Sequence, residues 1–256
     1  MTPLPHHVVR GSGSPVLVLH GWGGCIDSMA PVSKVLADSG FMAVVPDFPG
    51  HGATPPPGSA WGIEDYTAEV IALLDDLKIE KTDIVAHSFG ARVAVVLAAR
   101  HPSRVRRMVL TGAAGVKPRR SLRTRLRISA YKTAKKLAAK PKTAKLLLGI
   151  GIDVKKRAQN AGSADYRAIT DENLRASFVR VINTDLTPLL RQIAAPTVLL
   201  WGQNDADTPL YMGKIMQKRM QDAALIPLEG THFAYLEQAV AFNKIMLNFF
   251  CGEGGI

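Results

Sequence analysis

The sequence has few cysteines, no long apolar run and no export signal at its start. Only Cys25 and Cys251 occur in 256 residues, too few for the disulfide framework of a small secreted domain. The longest apolar runs, 93–99 and 146–152, have seven residues each, whereas a membrane-spanning helix needs about 20. The first thirteen residues contain two prolines and no basic stretch leading into an apolar one, unlike a signal peptide. We therefore expect a cytoplasmic protein with reduced thiols.

Positive charge is concentrated in one segment. Residues 117–157 contain fifteen Lys or Arg and one acid, a net charge of +14, which leaves −3 for the rest of the chain. Apolar residues recur every three or four positions over 121–140, which predicts a cationic amphipathic helix. Its charges could simply be solvated, contact an anionic membrane or lipid surface, or steer an anionic substrate. Nucleic acid is not expected as a partner, because no base-reading element accompanies the charge.

Short apolar runs alternate with amphipathic helical patterns such as 65–77 and 239–250. This alternation predicts an α/β fold with a doubly wound, mostly parallel sheet. The expected strands are 16–19, 42–45, 83–86, 107–110, 196–201 and 224–227.

The alternation is interrupted once, between residues 116 and 191. This stretch carries only helical patterns, including a helix expected to open after a capping Thr170 and to run to about residue 182. We predict an α/β core formed by 1–115 and 192–256, with 116–191 inserted as an all-helical, strongly basic unit.

Ser88 lies in the sequence Asp-Ile-Val-Ala-His-Ser-Phe-Gly, between a predicted strand and a predicted helix. A nucleophilic serine on such a turn needs small residues two positions before and after it. Here these are Ala86 and Gly90, so the usual first glycine is replaced by alanine. The pattern predicts that Ser88 is a nucleophile rather than a residue of an ordinary loop.

A serine nucleophile requires a base, and the base requires an acid that orients it. Asp205 follows one late strand, with Asp207 as a rival acid, and His232 follows the next strand. Acid and histidine thus come after the serine in the order expected of such a triad. Parallel strands bring their carboxyl ends to one sheet edge, where the three side chains would meet. His20 and His51, which lie in glycine turns, are expected to be structural.

Acyl transfer also needs hydrogen-bond donors for the developing oxyanion. The backbone N–H of Phe89, directly after the nucleophile, is one candidate. The glycine turn His20-Gly-Trp-Gly-Gly24 follows an early strand, and we assign the second donor to the N–H of Trp22. We expect no cofactor and no metal, because no cysteine–histidine cluster has the spacing of a zinc site.

These motifs resemble the α/β-hydrolase fold, in particular its small lid-bearing members, which include carboxylesterases, proline iminopeptidases and carbon–carbon bond hydrolases. The resemblance covers nearly the whole chain. It implies that Asp205, three residues after Gly202 and four before Pro209, is the acid, and that 116–191 is a lid. The motifs that carry it are HGWGG at 20–24, PDFPGHGATPPP at 46–57, AHSFGAR at 86–92, WGQNDADTP at 201–209 and GTHFAYLEQ at 230–238.

The expected activity is hydrolysis of carboxylic esters with small or medium acyl groups. One alternative is a carbon–carbon bond hydrolase or lyase that acts on an anionic diketone or enol acid with the same triad. Another is a ligand-binding protein that has little turnover, and a peptidase is a further possibility. The sequence does not indicate acyl chain length, stereoselectivity or oligomeric state.

Overall fold

The computed structural model describes residues 4–117, 133 and 164–252. Most of the predicted lid, 116–191, therefore lies outside the described residues, and so does nearly all of the predicted basic helix at 121–140.

The strands form a single seven-stranded sheet in the order β1-β3-β2-β4-β5-β6-β7. β1 pairs antiparallel with β3, and all other neighbours are parallel, which confirms the predicted mostly parallel sheet. The strands are β1 (His7–Arg10), β2 (Ser14–Leu19), β3 (Phe41–Pro46), β4 (Thr82–His87), β5 (Val105–Thr111), β6 (Thr197–Gly202) and β7 (Ala223–Leu228).

Helices connect the parallel strands, as predicted, whereas residues 11–13 join β1 directly to β2. No helix within the described residues is long and apolar enough to cross a membrane. The α-helices whose bounds lie within the described residues are α1 (Ala30–Asp38), α2 (Ile63–Asp76), α3 (Phe89–Arg100), α4 (Ala164–Ala168), α5 (Glu172–Asn183), α6 (Tyr211–Arg219), α7 (Ala234–Glu237) and α8 (Ala239–Cys251), and short 3-10 helices are found at Ile26–Met29, Pro102–Arg104 and Leu189–Gln192.

Apolar side chains cover both faces of the sheet because the central strands are apolar at nearly every position. In β2, Val16 and Val18 belong to a core that includes side chains of α1 and α8. Leu17 and Leu19 point to the other face, into a core with α2, α3 and α6. All six residues of β4 are buried. The end of this central strand is therefore held rigidly from both sides.

The chain divides into two compact units, residues 1–117 with 169–256, and residues 118–168. α5 lies in the larger unit, although the sequence places it in the predicted insertion 116–191. The helix belongs to the larger unit because its apolar face, which includes Phe178 and Val181, is buried. The N-cap of α5 is Asp171, whose side chain accepts the N–H of Leu174. The predicted cap, Thr170, is thus displaced by one residue.

The side chain of Arg107, in β5, caps the C-terminal end of α8. Its guanidinium donates hydrogen bonds to the carbonyls of Phe249, Phe250 and Gly252 at 3.0, 2.8 and 2.9 Å. The last carbonyls of a helix have no partner within the helix, and a positive charge there interacts favourably with the helix dipole. One side chain thus ties the last helix to the sheet.

We expect Arg107→Met to lower the free energy of unfolding by about 1–3 kcal/mol, because it leaves these carbonyls without their charged donor. Urea unfolding monitored by circular dichroism measures the change. Lys244→Ala is the control, since it removes a cation that lies on α8 itself, at an exposed position. Equal effects of the two substitutions would contradict the role given to Arg107.

Candidate active site

Ser88 sits on the sharp turn between β4 and α3. Its φ of 49° and ψ of −106° lie in a region that residues other than glycine rarely adopt. The Ser88 N–H donates to the Thr111 carbonyl at 3.1 Å, and the Ser88 carbonyl accepts the N–H of Ala114 at 3.2 Å. Both contacts come from the end of β5 and the loop after it. They hold the serine backbone in its strained conformation.

The small residues around Ser88 are there for steric reasons. A Cβ atom on Gly90 would lie 2.6 Å from the carbonyl oxygen of Leu19 and 2.7 Å from that of His20, so no side chain fits. Ala86, in the place of the usual glycine, is completely buried. The extra methyl group is therefore accommodated within the core.

The three predicted side chains meet at the carboxyl edge of the sheet. His232 Nε2 lies 2.9 Å from Ser88 Oγ, and His232 Nδ1 lies 2.9 Å from Asp205 Oδ2. A carboxylate oxygen only accepts, so Nδ1 carries the proton and Nε2 accepts the serine hydroxyl. Asp205 follows β6 and His232 follows β7. The three side chains thus come from three separate loops, in the order serine, acid, histidine along the chain.

The loops after β6 and β7 approach each other closely. A Cβ on Gly202 would lie 2.0 Å from the Thr231 carbonyl oxygen, and one on Gly112 would lie 3.0 Å from His232 Nδ1. Gly112 also has a φ of +49°. Glycine is required at these two positions to let the backbone pass next to His232.

The carboxylate of Asp205 receives four hydrogen bonds. Its Oδ1 accepts the N–H groups of Asp207 and Thr208 at 2.9 and 2.8 Å, and its Oδ2 accepts from Thr208 Oγ1 at 2.8 Å in addition to His232. Burial by itself raises the pKa of Asp205, but the bonds from His232 and Thr208 outweigh it and place the pKa below its usual value. Asp207, the rival acid, is exposed and contributes its backbone N–H.

Thr208 was not predicted as part of the site. Besides its contact with Asp205, its hydroxyl lies 3.0 Å from the Gly112 carbonyl and 3.3 Å from His232 Nδ1. A threonine in a loop gives no periodic signal. Thr208 does stand in the motif WGQNDADTP at 201–209, three residues after the acid, but the motif by itself does not indicate which atoms its hydroxyl contacts.

His87, directly before the nucleophile, contacts the backbone of the catalytic histidine. Its Nε2 lies 3.0 Å from the His232 carbonyl oxygen, to which it donates, and the two imidazole rings are 4.7 Å apart. Burial first, and the neighbouring His232 second, lower the pKa of His87 to about 3. A neutral His87 therefore holds the backbone of His232.

Aromatic rings surround Trp22, in the glycine turn after β2. Its indole makes edge-to-face contacts with His51, Phe89 and Phe178, with ring centroids 4.8 to 5.1 Å apart. Burial lowers the pKa of His51, which favours a neutral ring. Phe89 begins α3, and an N–H at the first residue of a helix has no partner within it. The neighbours of the Trp22 indole are thus aromatic rings, and the His51 ring among them is kept neutral by its burial.

One cluster among the described residues has the donors to hold a metal ion. The ligand atoms of Asp205, Asp207 and His232 lie within 4.8 Å of one another. An ion bound there would compete with the hydrogen bond between Asp205 and His232. The expectation that no metal or cofactor is needed stays a prediction.

A sequence model of the alpha/beta hydrolase fold matches residues 14–239, most of the chain. The chain belongs to the α/β-hydrolase fold family. The predicted family and fold are thereby confirmed, and so is the general assignment as a hydrolase.

Several relatives in the family carry activity names. A 2-hydroxy-6-oxo-2,4-heptadienoate hydrolase of Pseudomonas putida is 37% identical over 109 residues, which span 41% of this chain and 40% of that enzyme. A 2-hydroxy-6-oxononadienedioate/2-hydroxy-6-oxononatrienedioate hydrolase of Cupriavidus pinatubonensis is 27% identical over 93% of this chain and 88% of its own length. An esterase of Exiguobacterium antarcticum has a similar structure, with a TM-score of 0.74 and 20% identity over 96% of this chain and 95% of that one.

We expect Thr208→Val to reduce kcat by roughly tenfold, since the loss of one donor to Asp205 weakens the orientation of His232. Thr208→Ser keeps the hydroxyl and should retain most of the activity. Steady-state kinetics on an activated ester measures both variants. A Val variant as active as the Ser variant would show that the hydroxyl does not support the carboxylate.

The free energy of unfolding should decrease as the pH is lowered from 6.5 to 4. His87 and His20 have pKa values of about 3 and about 4 in the folded protein, against an ordinary value of 6.5. The unfolded chain therefore binds more protons in this range, and each histidine lowers the free energy of unfolding by up to about 1.4 kcal/mol per pH unit.

Urea unfolding at pH 5 and pH 7 tests this pH dependence. His87→Gln should reduce the difference between the two pH values, whereas His101→Gln, at an exposed position, should leave it unchanged. A stability that is the same at pH 5 and pH 7 would contradict the neutral state of the buried rings.

Proposed function

We propose that this chain is a serine hydrolase that cleaves carboxylic esters of small or medium acyl groups. The observation that carries the proposal is the continuous hydrogen-bonded chain from Ser88 Oγ through His232 to Asp205. A serine hydroxyl becomes a competent nucleophile only when a positioned base removes its proton. Here base and orienting acid are both within hydrogen-bonding distance.

In the first half-reaction, Ser88 Oγ attacks the ester carbonyl carbon while His232 Nε2 accepts the hydroxyl proton. The carbonyl oxygen becomes an oxyanion and receives hydrogen bonds from the N–H groups of Phe89 and Trp22. The tetrahedral intermediate then collapses, and the bond from carbon to the alcohol oxygen breaks. His232 gives its proton to the leaving alcohol, and Ser88 carries the acyl group.

In the second half-reaction, His232 removes a proton from a water molecule that attacks the acyl carbon. A second oxyanion forms in the same position, and its collapse breaks the bond to Ser88 Oγ, which takes the proton back from His232. Asp205 stays charged throughout and stabilises the imidazolium that forms in each step. The lowered pKa of Asp205 supports this role, because it keeps the carboxylate ionised.

The surroundings of Ser88 support an apolar acyl group. Trp22 is partly exposed and packs against the buried rings of Phe89 and Phe178, and the apolar surface that it presents would bind an apolar group by removing it from water. The basic segment 117–157, outside the described residues except for 117 and 133, stays a candidate for substrate steering or contact with an anionic lipid surface.

A second candidate, hydrolysis of a carbon–carbon bond, is favoured by the names of the two curated relatives. Both act on unsaturated hydroxy-oxo acids, compounds that have no ester group. The same serine, histidine and acid could cleave such a compound next to its ketone. An acidic substrate would also require a cation near Ser88, and the basic segment 117–157 is the part of the sequence rich enough to supply one.

We expect Ser88→Ala to lower the kcat/KM for p-nitrophenyl butyrate at least about 1000-fold, since it removes the nucleophile. Ser59→Ala, an exposed serine, is the control and should behave like wild type. The same three proteins assayed with a hydroxy-oxo dienoic acid compare the two candidate substrates. Efficient cleavage of the dienoic acid with negligible ester hydrolysis would replace the first candidate by the second.

Binding of either substrate without turnover in wild type would instead favour a ligand-binding role. In that case the substrate should stabilise the wild-type protein and Ser88→Ala to the same extent in thermal unfolding.

A further inference from the structure

Arg92 is a buried cation that the proposed reaction does not use. It lies in α3, four residues and thus about one helical turn after Ser88, and only 8% of its surface is exposed. Burial lowers the pKa of Arg92 to about 10, so the guanidinium is charged at neutral pH. Within the part of the chain that the structure describes, no carboxylate is paired with it. A buried charge without such a partner is costly, so other contacts must compensate for its desolvation.

The guanidinium of Arg92 contacts the C-terminal end of α5. Its Nη1 donates to the carbonyls of Val181 and Thr184, at 3.0 Å each. Val181 lies in the last turn of the helix, and Thr184 is the C-cap. The last carbonyls of a helix have no partner within it and form the negative end of the helix dipole. Arg92 thus attaches the end of α5 to the helix that begins at the nucleophile.

Other contacts hold α5 and the segment after it. The Ser177 hydroxyl accepts the N–H of Trp61 at 2.7 Å, which attaches the middle of the helix to the loop before α2. Beyond the helix, the Leu186 N–H donates to the Gly115 carbonyl at 2.9 Å. Loss of the Arg92 contacts should therefore let the last turn of α5 shift without detaching the helix.

Phe178 lies on α5 between these attachments. Its ring packs on the Trp22 indole, with centroids 5.0 Å apart, and the indole packs on Phe89, the residue after the nucleophile, at 5.1 Å. The turn that carries Trp22 reaches the nucleophile, since a Cβ on Gly21 would lie 3.3 Å from Ser88 Cβ. The position of α5 therefore determines how the partly exposed indole is supported next to the nucleophile.

We propose that Arg92 is a positioning residue that sets acyl selectivity: through α5 and Phe178 it holds the Trp22 indole in place and so limits the length of acyl group that fits beside it. This inference rests on the proposed function and narrows its substrates to the shorter acyl esters. Without the two hydrogen bonds, the last turn of α5 can shift and the Phe178 ring can withdraw from the indole. Each further methylene group buried in an apolar pocket improves binding roughly fourfold, so longer acyl groups would gain most.

We expect Arg92→Met to raise the ratio of kcat/KM for p-nitrophenyl octanoate to that for p-nitrophenyl butyrate by roughly 5- to 20-fold. Most of the gain should be a lower KM for the octanoate. The pH profile should keep the shape of wild type, because Ser88, His232 and Asp205 are untouched. Arg92→Lys keeps a cation but loses the planar fork of donors, so it should raise the ratio at least about twofold and less than Arg92→Met does.

Arg107→Met is the matched control for a general loss of stability. It removes the same side chain from the C-terminal carbonyls of another helix, α8. Arg107 lies near the start of β5, whereas Ser88 contacts the end of this strand. The control should leave the selectivity ratio within about twofold of wild type, since effects at distant sites are independent. A shift as large as that of Arg92→Met would overturn the proposal.

A double-mutant cycle tests the path through Phe178. Phe178→Ala should raise the ratio by itself, and adding Arg92→Met should then change it by less than about twofold, because the ring through which Arg92 acts is gone. Full additivity of the two shifts would overturn the proposal. If Arg92→Met does not fold, Arg92→Lys and Phe178→Ala decide. A raised ratio in both supports the proposal, and a wild-type ratio in either overturns it.

Phosphonate labelling separates failure of this inference from failure of the proposed function. p-Nitrophenyl phosphonates with butyl and octyl chains modify a nucleophilic serine without turnover. A wild type that reacts with neither compound and hydrolyses no ester would count against the proposed function. A wild type that reacts, and whose preference between the two chains is unchanged in Arg92→Met, would overturn the role of Arg92 alone.

Discussion

The left-handed backbone of Ser88 is the constraint on which the rest of the site depends. Such a conformation costs about 1–3 kcal/mol and persists only where the surroundings determine it. Hydrogen bonds from the end of β5 hold both sides of this residue, and the turn after β2 packs on the following helix so closely that Gly90 has no room for a side chain. The parallel sheet supplies these contacts, since it brings the ends of β2, β4 and β5 next to one another.

The buried titratable groups around Ser88 include one ionised carboxylate and two neutral imidazole rings. Asp205 is kept ionised by hydrogen bonds although burial opposes this, and burial keeps His20 and His87 neutral. The two neutral rings donate to backbone carbonyls, one at Gly21 and one at His232. Each therefore orients a stretch of backbone next to Ser88 without placing another charge there. In the proposed mechanism, this leaves the developing oxyanion and imidazolium as the charges that the site must stabilise.

The inner strands of the sheet could be predicted because their burial on both faces leaves a continuous apolar run in the sequence. Five of the six predicted strands lie within observed ones, and the sixth, 196–201, begins one residue before β6, because strands covered on both faces are apolar throughout. β1 was missed: His7–Arg10 is four residues long, partly exposed and paired only at the sheet edge, so it has little apolar signal. The N-cap of α5 was misplaced by one residue because Thr170 and Asp171 both have capping side chains, and only the backbone path decides between them.

The sequence by itself determined which residues meet at the site, since the turn around Ser88 and the later Asp205 and His232 each follow a strand of recognisable pattern. Parallel strands make such an inference possible because their carboxyl ends share one edge. The tertiary structure alone decided what holds these residues. The contacts of Thr208, His87 and His20 join segments far apart in the chain or depend on loop geometry. Hydrogen bonds of this kind leave no periodic pattern, because they depend on the three-dimensional path of the backbone rather than on residue spacing.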